Sequence, residues 1–133
     1  MFGLFKKSPF QRSAENLEKE FGISLSSVFE PKTLRQMFER LTNGVLLNEA
    51  GYHSIYYRCV VMNILVISNV MKNEGKNISA DDLLYLIPIL NRAVDYAELS
   101  GNREQVEGIS SMLNLNIMRF LDSFGIHNGS LKS

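Results

Sequence analysis

Apolar residues recur along this chain at the spacing of helices. Phe10, Ala14, Leu17 and Phe21 step by three and four, which lines them up on one helical face. Leu34, Met37, Phe38 and Leu41 repeat the same face. Leu83, Ile87, Leu90, Val94 and Ala97 alternate steps of four and three, and Leu84, Leu86 and Ile89 widen that stripe. Val106, Ile109, Leu113, Ile117, Phe120, Leu121 and Phe124 form another. One stretch has no polar face. From Tyr52 to Lys72 the chain reads YHSIYYRCVVMNILVISNVMK, and between Cys59 and Met71 only Asn63, Ser68 and Asn69 are polar. A helix that is apolar nearly all round lies at the centre of a fold. Val60, Val61, Ile64, Val66 and Ile67 would also suit a strand, but a run of this length without Gly or Pro is ordinary for a helix and long for a strand. The pattern predicts an all-α, single-domain, up-and-down bundle of about five helices around a central apolar helix at 52–72.

Punctuation refines the elements. Ser8, Pro9 and Gln11 make a capping box with proline at the first helical position, and Gly22 closes a helix over 9–21, with Ile23 as a hydrophobic latch. Ser27 or Glu30 opens the second helix, with Pro31 in its first turn, and Thr42-Asn43-Gly44 ends it. Val45 to Ala50 reads as a short helical turn before Gly51. Ser79 caps the fourth helix, where Asp81 and Asp82 suit the positive end of the dipole. Pro88 falls mid-pattern and must kink or split that helix. Asn102 with Gln105 starts the fifth, and Gly125 stops it. Residues 1–7 read as a flexible stub and 126–133 as a disordered tail on a domain spanning 1–133.

Composition narrows the function more by exclusion than by assignment. A chain of 133 residues with 45% hydrophobic and 21% charged content is an ordinary globular domain. Fourteen basic and fourteen acidic side chains argue against a dedicated nucleic-acid binder, which needs a basic surface. The lone Cys59 rules out an internal disulfide and fits a reducing, cytoplasmic setting, as a buried small hydrophobe. Arg58, Lys72 and Asn63 argue against a membrane span at 52–72. Phe2, Leu4, Phe5, Lys6 and Lys7 could touch a membrane surface, but so short a segment buries too little to hold one. No nucleotide-binding or nucleophile motif is present. Glu49 and His53 are four apart but lack a third ligand, and His53 and Cys59 diverge on a helix. No catalytic residue, cofactor or metal is therefore expected.

The polar positions that remain are candidates for contact. On a helical wheel Ser54, Arg58, Asn69 and Lys72 share a narrow side with Val61 and Leu65, expected to reach water. Asn63 points elsewhere and should bond to a neighbouring helix. Lys32, Arg35, Gln36, Glu39 and Arg40 cover the polar side of the second helix, read as a solvated face over a basic patch because Glu39 interrupts it. Met112, Leu115 and Met118 lie off their stripe and are assigned to the core over an interface. Tyr52, His53, Tyr56, Tyr57 and Arg58 have the composition of a binding hot spot, set against a reading in which the tyrosines roof the core with hydroxyls in water. The function expected is a non-catalytic cytosolic protein that binds another protein, as adaptor, inhibitor or immunity-type neutraliser. The partner's identity stays open, a second copy of the chain included. Alternatives are a small-ligand or lipid-binding bundle with a pocket at Pro88 lined by Leu84 and Ile87, and peripheral membrane attachment through residues 2–7.

Overall fold

The computed structural model describes residues 7–23, 31–76 and 85–125. Most of the N-terminal stub, the tail, and the expected caps at Ser27, Glu30 and Ser79 with Asp81 and Asp82 lie outside these residues. The described chain forms helices α1 (Pro9–Phe21), α2 (Pro31–Thr42), α3 (Glu49–Asn73), α4 (Leu86–Leu99) and α5 (Arg103–Ser123). No strand occurs among the described residues. The fold is an all-α bundle in which α3 packs against each of the other four helices, most extensively α4 and α5.

The caps explain where the helices begin. Ser8 Oγ accepts from the Gln11 N–H at 3.2 Å, and Gln11 Oε1 accepts from the Ser8 N–H at 2.9 Å. Gly22 ends α1 at φ 64°, in the left-handed region that favours glycine, and Ile23 packs on the core behind it. Asn102 caps α5 through the Gln105 N–H. α3 starts earlier than its apolar run suggests. Asn48 is its cap, accepting from the Gly51 N–H at 2.9 Å, so Gly51 lies inside the first turn and residues 45–48 form no helical turn. A Cβ at position 51 would approach the Leu47 Cβ to 3.1 Å, so glycine there lets the incoming segment lie close against the helix.

α3 is long and apolar enough to cross a membrane by length and composition alone, but 67% of that apolar window is covered by the other helices. The side expected to reach water does the opposite. Ser54, Arg58, Val61 and Leu65 are all buried, because α4 and α5 cover that side, and the exposed edge of α3 carries Val66 and Val70. Pro88 is the third residue of α4, where its missing N–H has no intrahelical partner to lose. As for the expected kink or split, the described helix starts at Leu86, and the earlier part of the stripe, Leu83 and Leu84, lies outside the described residues. The buried face of α4 is set by Leu86, Ile89, Leu90, Ala93, Tyr96 and Ala97, which leaves Ile87 and Val94 half-buried.

Candidate functional site

The five expected contact residues do not make an open surface. Tyr56 and Tyr57 are fully covered, His53 and Arg58 are buried, and Tyr52 is half-buried. Nor do the tyrosine hydroxyls stand in water. The Tyr52 hydroxyl donates to the Val45 carbonyl at 3.2 Å. The Tyr56 ring packs edge-on against Phe10 and Phe38, with centroids 5.3 and 5.9 Å away. Its hydroxyl has no hydrogen-bond partner among the described residues, and burial, with the nearby Glu18 charge, pushes the phenol well above its ordinary range. The cause is the length of α3: its first turns lie between α1, α2 and α4 rather than at the bundle's end.

Around Tyr57 a polar network ties α1, α3 and α4 together. Glu20 Oε1 accepts from the hydroxyls of Tyr57 at 2.6 Å and Tyr96 at 2.7 Å, and from Asn16 Nδ2 at 3.1 Å. Glu20 Oε2 accepts from Arg92 Nε at 2.7 Å. The Arg92 guanidinium also lies over the Tyr96 ring, 4.4 Å from its centroid. Burial pushes the Glu20 carboxyl up, but hydrogen bonds from Tyr57, Tyr96 and Arg92 outweigh it and hold the pKa below its ordinary value. Burial and the bond to Glu20 push Tyr57 upward in turn. His53 sits beside these rings, edge-on to Tyr96 at 5.1 Å, with Nδ1 2.7 Å from Ser13 Oγ. Burial lowers its pKa, against the raising pull of Glu49 and Glu20. Glu49 is held by Arg12 at 2.7 Å and lies 3.9 Å from His53 Nε2. Among the described residues no three His, Cys, Asp or Glu side chains converge to hold a metal ion.

Arg58 is the second tie. It is 2% exposed, donates from Nη1 to Ser54 Oγ at 2.7 Å, and meets Glu107 of α5 at 2.6 Å. Ser54 passes its own hydroxyl to the Ala93 carbonyl of α4. One side chain thus links α3, α4 and α5. Sequence reasoning missed this because Glu107 is 49 residues away and carries no local signature of the pairing. Asn63 is buried as expected, but its Oδ1 has no hydrogen-bond partner among the described residues. Cys59 is buried too, and burial pushes its thiol well above the ordinary range, away from the reactive thiolate.

The open chemistry lies on the other side of the molecule. Met112 and Leu115 of α5 are 68% and 50% exposed, contrary to the core assignment, whereas Met118 packs on the core. Beside them a groove of about 320 Å³ runs between α2 and α5, with Gln36, Met37, Arg40 and Leu41 on one wall and Met112 and Asn116 on the other. Asn116 also borders a second hollow of about 260 Å³, lined by Asn69, Arg119, Phe120 and Ser123. Helical spacing explains the walls: Gln36, Met37, Arg40 and Leu41 are neighbours at steps of three and four on α2, as are Met112, Asn116, Arg119 and Phe120 on α5. The apolar spacing itself, with two residues off the stripe, was the only sequence signal for this face. Compared with family models, curated proteins and solved structures, the chain gives no significant match.

Proposed function

We propose that this is a non-catalytic, cytosolic protein that works by binding another protein, and that it does so through the α2/α5 face. The observation that carries the reading is the exposure of Met112 and Leu115 beside a groove with an apolar lining. Large apolar side chains grouped at a concave surface favour a partner, and methionine suits adaptable contacts. The non-catalytic part rests on how the polar side chains near α1 and α4 are engaged. Glu20, Tyr57, Tyr96 and Arg58 bind one another or neighbouring helices, which leaves them little capacity to act on a substrate. The single buried cysteine fits a reducing compartment.

A photo-crosslinking side chain in place of Leu115 tests the reading against the same group in place of Leu46, which is exposed and outside the groove. In native lysate the Leu115 variant is expected to give a discrete adduct of fixed stoichiometry, suppressed by Met112→Asp, and the Leu46 variant none. Equal labelling at both positions, or an adduct indifferent to Met112→Asp, rejects the α2/α5 face as the contact.

A further inference from the structure

We infer that the groove between α2 and α5 accepts an acidic amphipathic helix from its protein partner, with apolar anchors about seven residues apart and carboxylates at its flanks. This rests on the protein-binding reading above and adds the partner's chemistry.

The first argument is charge. Five of the seven arginines reach a carboxylate within the chain: Arg12 with Glu49, Arg35 with Glu39, Arg58 with Glu107, Arg92 with Glu20 and Arg103 with Glu98. Among the described residues the two that do not are Arg40 and Arg119, and each borders one of the two hollows. Both are exposed, Arg40 on α2 beside the first hollow and Arg119 on α5 beside the second, which Asn69 of α3 also borders. No acidic side chain lines either hollow. Lys32, one turn before Gln36 on the same ridge of α2, adds a third cation with no ion pair among the described residues. In a chain of zero net charge, both arginines without a carboxylate among the described residues thus border these hollows. A carboxylate can pair with a guanidinium through two parallel hydrogen bonds, so acidic flanks complement this rim.

The second argument is spacing. On α5 the first hollow centres near residues 112–116 and the second near 116–123. Their centres are about six residues apart, roughly 9 Å at the helical rise. A partner helix laid along α5 presents residues i and i+7 about 10 Å apart, and i and i+4 only about 6 Å apart. The hollows therefore match the longer step, one apolar anchor in each. Gln36, Asn69 and Asn116 supply amides at the walls for polar groups beside those anchors.

Other occupants fit less well. A second copy meeting this face about a two-fold axis would add the same cations, Arg40 and Arg119, and no carboxylate from the lining of either hollow. Nucleic acid gains from many phosphate contacts and little from Met37, Leu41 and Met112.

A displayed library of four-turn helical peptides, with randomised core positions and flanks of acidic, neutral or basic residues, tests the inference on the full chain. Peptides with Asp or Glu flanks and apolar anchors seven apart are expected to be selected. Arg40→Glu and Arg119→Glu should each weaken them about tenfold, with neutral Gln at the same sites intermediate. Their affinity should fall as salt rises. Selected peptides that are neutral or basic, and that depend on Met112 but not on either arginine, overturn the acidic partner and leave the protein-binding reading in place. Selection of no peptide that Met112→Asp displaces overturns both. Tighter, arginine-dependent binding to anionic vesicles or to a DNA duplex than to any peptide also overturns the inference.

Discussion

Arg12, Arg58 and Arg92 each end on a carboxylate of another helix, and Arg92 also lies over the Tyr96 ring. On the α2/α5 side, Arg40 and Arg119 have no such partner among the described residues. Arg40 borders a groove with Met37, Leu41 and Met112 in its lining, and Arg119 borders the adjoining hollow beside Phe120. The residue types are similar and their roles are opposite. Where a guanidinium has a carboxylate supplied by another helix, it fixes how those helices sit. Where none is supplied, the charge and the apolar groups beside it stay open to a second molecule. Arginine with aromatic neighbours is thus no sign of a binding surface by itself, and what decides is whether the fold brings an anion to it.

The largest effect expected is at Glu107. Glu107→Ala leaves the Arg58 guanidinium buried without its countercharge, and breaking such a pair costs about 3 kcal/mol, the low end of the usual range because Glu107 is partly exposed. Replacing both partners by apolar residues, Arg58→Met with Glu107→Leu, should recover most of that loss. Urea denaturation of Arg58→Met, Glu107→Leu and the double variant gives the coupling directly. A loss below about 1 kcal/mol for Glu107→Ala would remove the contrast between the two sides.

Next comes Glu20. Glu20→Ala leaves two phenolic hydroxyls without their acceptor and Arg92 with only the longer carboxylate contact to Asp95, at a cost of about 2 kcal/mol on the scale of hydrogen bonds to charged groups. Removing the acceptor also changes the response to acid. The folded Glu20 pKa lies below the ordinary 4.5, so its stabilisation is present above that value and is lost as pH falls through the folded pKa. Acid unfolding of Glu20→Ala should therefore be less steep below pH 4.5 than that of the native chain.

His53 gives a smaller effect in a separate window. Its folded pKa lies below the ordinary 6.5, so the folded state favours the neutral ring and the unfolded chain binds the proton first. Stability is then full above pH 6.5 and declines as pH falls towards the folded pKa. His53→Leu should flatten that decline and leave the Glu20 window untouched. Melting temperatures taken across both windows separate the two groups, and an identical slope in the variant would remove His53 from the account.

How much of this could be read from the chain depends on the range of each interaction. Ser8 with Gln11, Gly22, and Asn102 with Gln105 act within four residues, and the structure places all of them as the sequence implies. The central helix was legible because its apolar run exceeds any strand. Arg58 was misplaced because its tyrosine neighbours suggest a surface, while the reason for its burial lies on another helix. The bonds from Glu20 to Tyr57 and Tyr96 span 37 and 76 residues, with no periodicity to announce them. Pro88 was legible as a break in the stripe, and its place in the first turn of α4 follows from a helix that starts at Leu86, with Leu83 and Leu84 outside the described residues. The α2/α5 face was half legible: Met112 and Leu115 stood off the stripe, but only tertiary packing decides whether an off-stripe residue is covered.

The smallest effect on stability is expected at that open face, where it discriminates most. Met112 and Leu113 are adjacent on α5, yet Leu113 is 8% exposed and Met112 is 68% exposed. Truncating a buried leucine removes its transfer free energy and leaves a cavity, so Leu113→Ala should cost about 2–3 kcal/mol. Met112→Ala removes a side chain mostly in water already, and should cost no more than about 0.5 kcal/mol. Arg40→Glu belongs with it, since no internal ion pair is broken. Thermal or urea unfolding of the three variants sets a neighbouring pair against each other with the chemistry held nearly constant. If Met112→Ala proves as costly as Leu113→Ala, α5 is packed on both faces and the groove is part of the core. If it is nearly neutral, the apolar surface at Met112 contributes little to folding, and any loss of partner binding in the same variant can be assigned to contact rather than to an unfolded chain.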